Sequence, residues 1–391
     1  MKTLLCLNTG GINDLHGLRM RRLTRQLEGV DCTHVDLDRS RSRWENARSV
    51  WSLLRSGPWD LVYQESTGLA GGLPLILAAR AYGQPYIVSS GDPIGGYFHV
   101  VNGPLHGAAL GLYEKWLYRS SAGFVGWTPY LTGAALTLGA PRAVTVEGAV
   151  DRTLFRPYSP EKRSTLKADY GLDPDHVVCG IVGSLKWTPR QSYCYGLELI
   201  EMLPYLNRPD VSVLIVGDGD GRVELERRVP PEWRDRVVFT GRVAEHEVVD
   251  ALNAMDIGFI TQTLDALGSY RLTTKLPEYL ATGLPVAMSP IPGYYDYVGS
   301  AGWSLPPHHP AHPSFHRACA AWLDSLSRED IDSRRPYALQ QAATLDYEGV
   351  RPKFERFVYD VLGLPIPAAP SLTDVPPALV EATGDAQPSR R

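Results

Sequence analysis

Short apolar runs, each followed by a loop of Gly, Asn, Asp or Pro and then an amphipathic stretch, recur along most of this chain. That alternation leaves few folds open, because parallel strands need a crossover long enough to hold a helix. It predicts an α/β protein whose parallel sheets are covered by helices on both faces. In the first half the expected strands are 3–7, 32–36, 60–63, 86–89, 123–127 and 143–146, with helical stretches at 14–27, 44–54, 69–81 and 105–118. A polar stretch, 152–167, then reads as a linker. The pattern restarts with strands at 177–183, 211–217, 237–239, 257–260 and 286–288. Helical stretches follow at 311–326 and 340–362, the latter carrying Tyr347, Phe354, Phe357 and Tyr359.

Two doubly wound, Rossmann-like domains facing each other across a cleft are therefore expected. The division is 1–155 for the N-terminal domain and 156–338 for the C-terminal domain, with 339–364 packing back on the first and 365–391 a disordered tail rich in Pro, Ala and Ser. With 391 residues, 44% of them hydrophobic, the chain can bury two cores. A net charge of −4 gives no global field for nucleic acid. Cys6, Cys32, Cys179, Cys194 and Cys319 are scattered without a CxxC pair, which fits free thiols in a reducing cytoplasm. The opening apolar run is too short for a signal peptide, and nothing later is long and apolar enough to cross a bilayer.

In such folds ligands sit beyond the carboxyl ends of the strands, so the loops there carry the chemistry. Gly10 and Gly11 open the first helix, where a Cβ-free backbone can approach a phosphate; a purely structural turn is the competing reading. Gly183 ends a strand and is followed by Lys186 and Arg190, two cations for a diphosphate or, alternatively, a solvated loop. The stretch Thr273 to Pro285 predicts a short Thr-capped helix that presents Lys275 and Glu278 on one face beside unpaired amides. Lys275 would hold phosphate and Glu278 ribose hydroxyls, unless the two are an ordinary surface ion pair. The glycines after Val216 lack the full dinucleotide spacing, which disfavours a nicotinamide enzyme. His308, His309, His312 and His316 are interleaved with prolines and predict a surface loop, not a metal site.

Taken in order, Gly148-Ala149-Val150-Asp151, Val182-Gly183-Ser184, Val216-Gly217-Asp218-Gly219, Phe239-Thr240-Gly241-Arg242-Val243 and Lys275 to Val286 resemble the GT-B glycosyltransferases of family 4, the glycosyl transferases group 1. The resemblance implies transfer of a sugar from a nucleoside diphosphate donor to an acceptor hydroxyl with retention, and no cofactor or metal. By position, Lys275 and Arg190 would stabilise the leaving diphosphate. Glu278 would hold ribose, Val243 the base, and Leu276, Lys186 and Gly183 other parts of the donor; Gly10 and Gly11 would approach from the opposite domain. A loop histidine implied by the family is assigned to His99, with Asp92 an equal polar contact.

Three positions depart from the family pattern. Tyr270 stands where a first Glu is common, Gly148-Ala149 replaces Asn-Gly, and Ser184 replaces a basic residue. A nucleotide-sugar 2-epimerase of the same architecture and a catalytically silent nucleotide-sugar-binding protein are the competing functions. Expected partners are a nucleotide sugar and a small-molecule, lipid or glycan acceptor. Arg19, Arg22 and Arg25 on the first helix are candidates for weak peripheral contact with an anionic membrane face, against the plainer reading of a solvated helix.

Overall fold

The computed structural model describes residues 1–11, 14–190 and 192–366. Two parallel six-stranded sheets carry the fold. The first comprises β1 (Lys2–Asn8), β2 (Val30–Asp36), β3 (Leu61–Glu65), β4 (Tyr86–Ser90), β5 (Gly123–Gly126) and β6 (Ala143–Thr145), in the order β2-β1-β3-β4-β5-β6. The second comprises β7 (Val177–Val182), β8 (Val211–Val216), β9 (Val237–Gly241), β10 (Ile257–Ile260), β11 (Val286–Met288) and β12 (Gly302–Ser304), in the order β12-β11-β10-β7-β8-β9. Central strands are buried on both faces, so they read as continuous apolar runs rather than alternating ones. This is the GT-B arrangement of two α/β domains.

The chain crosses between the domains twice, and the crossings are tied to each other. The Val150 amide donates to the Leu345 carbonyl (2.9 Å) and the Tyr347 amide to the Val150 carbonyl (3.3 Å). Beyond that point the helix Tyr347–Leu362 lies on the first sheet, with Val350, Phe354 and Val358 fully buried among Leu4, Cys6 and Tyr63. Its Phe354 ring stands 4.8 Å from Tyr63, and Lys353 reaches Glu147 at 2.9 Å.

Four local expectations change. The stretch expected as a linker contains the helix Pro160–Asp169, which belongs to the second domain: its Arg163 and Lys167 reach back to Asp256 at 3.0 and 2.7 Å. The helical stretch near 340–362 is two helices, Arg335–Thr344 and Tyr347–Leu362, separated where Leu345 and Asp346 make the crossing. The segment carrying His99, expected as a loop, is the helix Ile94–Asn102, which includes Gly95 and Gly96. Those glycines permit close packing: a Cβ on Gly95 would meet Gly111 Cα at 3.0 Å, and the buried Glu114 carboxylate caps the helix by accepting from the amides of Ile94 (3.1 Å) and Gly95 (3.0 Å). The last strand, β12, is three residues long and too short to announce itself.

Candidate active site

Strands of both sheets end at the groove between the domains. From the first domain, Ser66 follows β3, Asp92 follows β4 and Trp127 follows β5; from the second, Ser184 follows β7 and the long loop after β10 runs to Lys275. These residues wall a cavity of about 320 Å³ with His16 on its N-terminal side. A second cavity of about 320 Å³, lined by Tyr97, Lys186, Trp187 and Gln262, continues from it and shares Ser184, Tyr195 and Arg271.

Lys275 is the centre of this region. It starts the helix Lys275–Ala281, and its Nζ lies 3.3 Å from the centroid of the Tyr195 ring. Gly183 makes the room: a Cβ there would come within 2.7 Å of Nζ. Among the described residues Lys275 makes no salt bridge. Burial pulls its pKa down, and the Tyr195 oxygen offsets part of that pull. Burial raises the Tyr195 phenol, but Lys275 and Arg271 outweigh it and the net shift is downward. Beside Lys275, Arg271 spans the groove to Asp92 (2.6 Å), and the buried Oγ1 of Thr273 has no protein partner. An ammonium held on an aromatic face with no carboxylate attached is a grip for an anion.

The opposite wall is ordered by a buried carboxylate. Glu65, fully buried at the end of β3, accepts from the Tyr63 hydroxyl, stands 3.6 Å from Arg19 Nε and 3.7 Å from His16 Nδ1. Burial opposes charge on His16, yet Glu65 wins and the imidazole pKa is raised; burial likewise opposes charge on Glu65, whose pKa His16 and Arg19 bring below the usual range. His16 Nδ1 is buried and lacks a hydrogen bond, and its ring lies 5.7 Å from Trp127.

The other expected residues scatter. Lys186 lines the second cavity, and Glu278 is half-buried beside Lys275 and Glu245 with a pKa pushed up to about 8 by burial and by the Glu245 carboxylate, Lys275 pulling the other way. Arg190 is a correction: it lies exposed against the first domain, where a Cβ on Gly103 would meet its guanidinium at 2.6 Å, and it lines neither cavity. The chain is sent there by the Thr188–Tyr193 bridge and by the Trp187 amide donating to Asp220 (2.7 Å). His99 is a second correction, being exposed on the outside of its helix with its Cβ against Gly107; His16 is the histidine in the cleft.

Gly10 and Gly11 are buried and serve the turn itself. The Gly10 amide donates to Asn8 Oδ1 (2.8 Å), and Gly11 takes φ +93° beneath Arg39. Leu276 is fully buried and its amide donates to the Thr273 carbonyl (3.1 Å), so that N–H is not free for phosphate. Thr274 is helical (φ −61°) and makes no cap. Val243 is half-buried with its side chain against the core of the second domain. Tyr270 turns away from the cleft: its side chain packs on the core of the first domain, and its carbonyl accepts from Thr128 Oγ1 (2.9 Å).

The basic first helix also reads differently. Arg19 is 1% exposed and donates to the carbonyls of Val146 and Glu147, both at 2.7 Å, while Arg22 pairs with Asp151 at 3.3 Å. A membrane contact through Arg19 is thereby excluded. Among the described residues no helix is long and apolar enough to cross a membrane. His312 caps its helix through the Ser314 amide, and His316 bonds the Pro310 carbonyl at 2.7 Å; no group of metal-ligating side chains converges among the described residues.

Next to the cleft, wholly within the first domain, lies a larger cavity of about 520 Å³. Its floor is apolar (Leu37, Leu69, Ile94, Phe98, Leu110) and its rim carries Arg39, Arg41 and Arg43.

Comparison with known proteins places this geometry. Residues 176–325 match the family described as glycosyl transferases group 1, and residues 4–147 match the glycosyl transferase 4-like domain. No curated protein matches the chain. Among solved structures, Anabaena HepE in complex with UDP and glucose is similar over 92% of this chain and 100% of its own, with TM-score 0.71 and 16% identity. Sucrose-phosphate synthase from Thermosynechococcus elongatus covers 93% and 100%, with TM-score 0.70 and 13% identity. WaaG, a glycosyltransferase involved in lipopolysaccharide biosynthesis, covers 91% and 99%, with TM-score 0.62 and 16% identity. With both domains matched by glycosyltransferase families and the two sheets arranged as in GT-B structures, this chain belongs to the group 1, family 4-like glycosyltransferases.

Proposed function

We propose that the enzyme moves a sugar from a nucleoside diphosphate sugar to an acceptor hydroxyl with retention of anomeric configuration. One observation carries this reading: Lys275, free of any salt bridge among the described residues, is held over Tyr195 at the floor of the cleft beside Arg271. As the glycosidic bond breaks, negative charge builds on the diphosphate, and cations fixed beforehand lower the energy of that state more than of the ground state. The Thr273 hydroxyl adds an unspent hydrogen-bonding group at the same place. Glu278, protonated below a pH of about 8, would meet ribose without bringing a second full negative charge beside the phosphates. HepE, similar in fold, was solved with UDP and glucose, which fits a donor of this class.

His16 faces the same cavity from the first domain and would contact the sugar, oriented by Glu65. The adjoining cavity of about 520 Å³ would seat the acceptor, and its presence favours transfer over 2-epimerisation, which needs no acceptor. The scheme draws its positive charge from Lys275 and Arg271, so a chelator should leave transfer unchanged. Incubation of the purified chain with labelled UDP-, GDP-, ADP- and dTDP-sugars and a panel of lipid and glycan acceptors tests the reading. Acceptor-dependent release of one nucleoside diphosphate, with product of the donor's anomeric configuration, is expected. Turnover of donor to its 2-epimer without acceptor would replace transfer by the competing reaction.

A further inference from the structure

The outer surface of the first domain holds a feature that the cleft does not use. The helices Leu69–Tyr82 and Pro104–Arg119 pack side by side: Tyr113 of the second fills the space left by Gly72 on the first, and the Arg80 guanidinium lies 5.8 Å from the Trp116 ring centroid. On Pro104–Arg119 the inward side is Gly107, Tyr113, Glu114, Leu117 and Tyr118. At 100° per residue, Leu105, Leu112 and Trp116 fall together on the opposite side. They are 84%, 50% and 46% exposed. Leu73 and Leu77 do the same on the neighbouring helix, one turn apart, at 38% and 57%.

Large apolar side chains at adjacent outward positions of two touching helices form a patch, which single surface leucines do not. Its charge has one sign. Leu69–Tyr82 contains no acid, and the only acid of Pro104–Arg119, Glu114, is buried and spent on the amides of Ile94 and Gly95 and the Tyr118 hydroxyl. Arg80, Lys115 and Arg119 are exposed around the leucines.

We propose that this face docks on an anionic lipid surface, with the leucines and Trp116 entering the interface and the three cations meeting lipid phosphates. An apolar stripe rimmed by Lys and Arg and lacking acids is complementary to a negatively charged leaflet. A second copy of the chain is a poorer occupant, because a two-fold contact through this patch would set Arg80, Lys115 and Arg119 against their own counterparts. The same two helices wall the proposed acceptor cavity through Leu69 and Leu110, so docking would bring that cavity to the lipid surface. The docking surface stands on exposure and charge alone and does not depend on the proposed reaction.

The test is sedimentation of the purified full chain with phosphatidylcholine vesicles prepared with and without phosphatidylglycerol, at low and high salt. The chain should sediment with the anionic vesicles and not the neutral ones, and salt should release it. Leu77→Asp with Leu112→Asp should lower the apparent affinity on the order of tenfold, as should Arg80→Glu with Lys115→Glu. Leu105→Asp, at the most exposed of these positions, gives a variant whose folding is least at risk, and circular dichroism melting checks each protein. A wild-type chain that stays in the supernatant with both vesicles would overturn the proposal, as would variants that bind like it. Equal binding to neutral vesicles would refute the anionic partner. Concentration-dependent dimers abolished by the Asp substitutions, without vesicle binding, would reassign the patch to self-association.

Discussion

Asp256 and the interdomain cleft both gather charge away from water, on opposite terms. Asp256, 2% exposed, is surrounded by Arg163 (3.0 Å), Lys167 (2.7 Å), Arg328 (3.1 Å) and Arg335 (3.1 Å), and it also accepts the Val178 amide at 2.9 Å. Burial favours its neutral form, but the surrounding cations win and hold its pKa below the usual range. Every acceptor position there is occupied. In the cleft the excess is positive and largely unspent: among the described residues Lys275 rests on an aromatic ring without a salt bridge, Thr273 Oγ1 has no protein partner, and Arg271 meets Asp92. A satisfied charge cluster clamps the helix Pro160–Asp169 and the Arg328 and Arg335 segments to the second sheet, whereas an unsatisfied one waits for a ligand.

Exchanging the roles of the two regions is the sharpest way to break this contrast. Lys275→Ala should lower transfer by about 10²–10³ and leave the melting temperature nearly unchanged, since the removed ammonium makes no salt bridge among the described residues and its contact with the Tyr195 ring offsets only part of the cost of its burial. Asp256→Ala should do the reverse, costing about 3–5 kcal/mol by stranding buried cations, with donor affinity of the folded protein preserved. Kinetics and denaturant titration on both variants would show it. An unstable Lys275→Ala protein, or a stable Asp256→Ala one, would erase the distinction.

A smaller effect is expected at Arg271, which both pairs with Asp92 across the groove and faces the cavity. Arg271→Ala should weaken donor binding roughly tenfold, about 1.4 kcal/mol, while Asp92→Asn, which frees the guanidinium, should weaken it less; titration calorimetry with the nucleoside diphosphate distinguishes the two. Two pH profiles are subtler still. The Glu278 carboxyl is raised to about 8 in the fold from an ordinary value of 4.5, so the folded state holds the extra proton and its stabilisation is lost as pH rises through about 8. Glu278→Gln should accordingly be more stable than wild type above that pH. His16 is also raised, so its contribution is full below the ordinary imidazole value of 6.5 and fades as pH climbs past its folded value. His16→Asn should lose more stability in acid than in alkali, by urea melts at several pH values.

Much of the fold was legible because doubly wound sheets announce themselves as apolar runs with loops at fixed sides. The strands 3–7, 86–89 and 257–260 lie within or coincide with observed ones. Of the candidate site's geometry, the place of Lys275 was legible because its helix begins where the loop after β10 ends, and that of Gly183 because a glycine at a strand end signals close approach. Tyr195 and Arg271 could not. Their relevance is made by tertiary packing: one arrives from a loop without periodic signal, and the other acquires meaning only opposite Asp92, 179 residues earlier. Arg190 lies outside both cavities for the same reason in reverse, since the hydrogen bonds of its loop, not its distance from Gly183, decide where it points. Tyr270, where the resemblance implies a Glu, packs its ring on the core of the first domain, while its backbone carbonyl accepts from Thr128 Oγ1 as any residue there could.

Binding of nucleoside diphosphates to wild type and Lys275→Ala, measured by titration calorimetry in the absence of acceptor, tests the central claim most directly. The account predicts one preferred nucleotide whose affinity falls at least about tenfold in the variant, with the fold intact. Equal affinity in both proteins would contradict it.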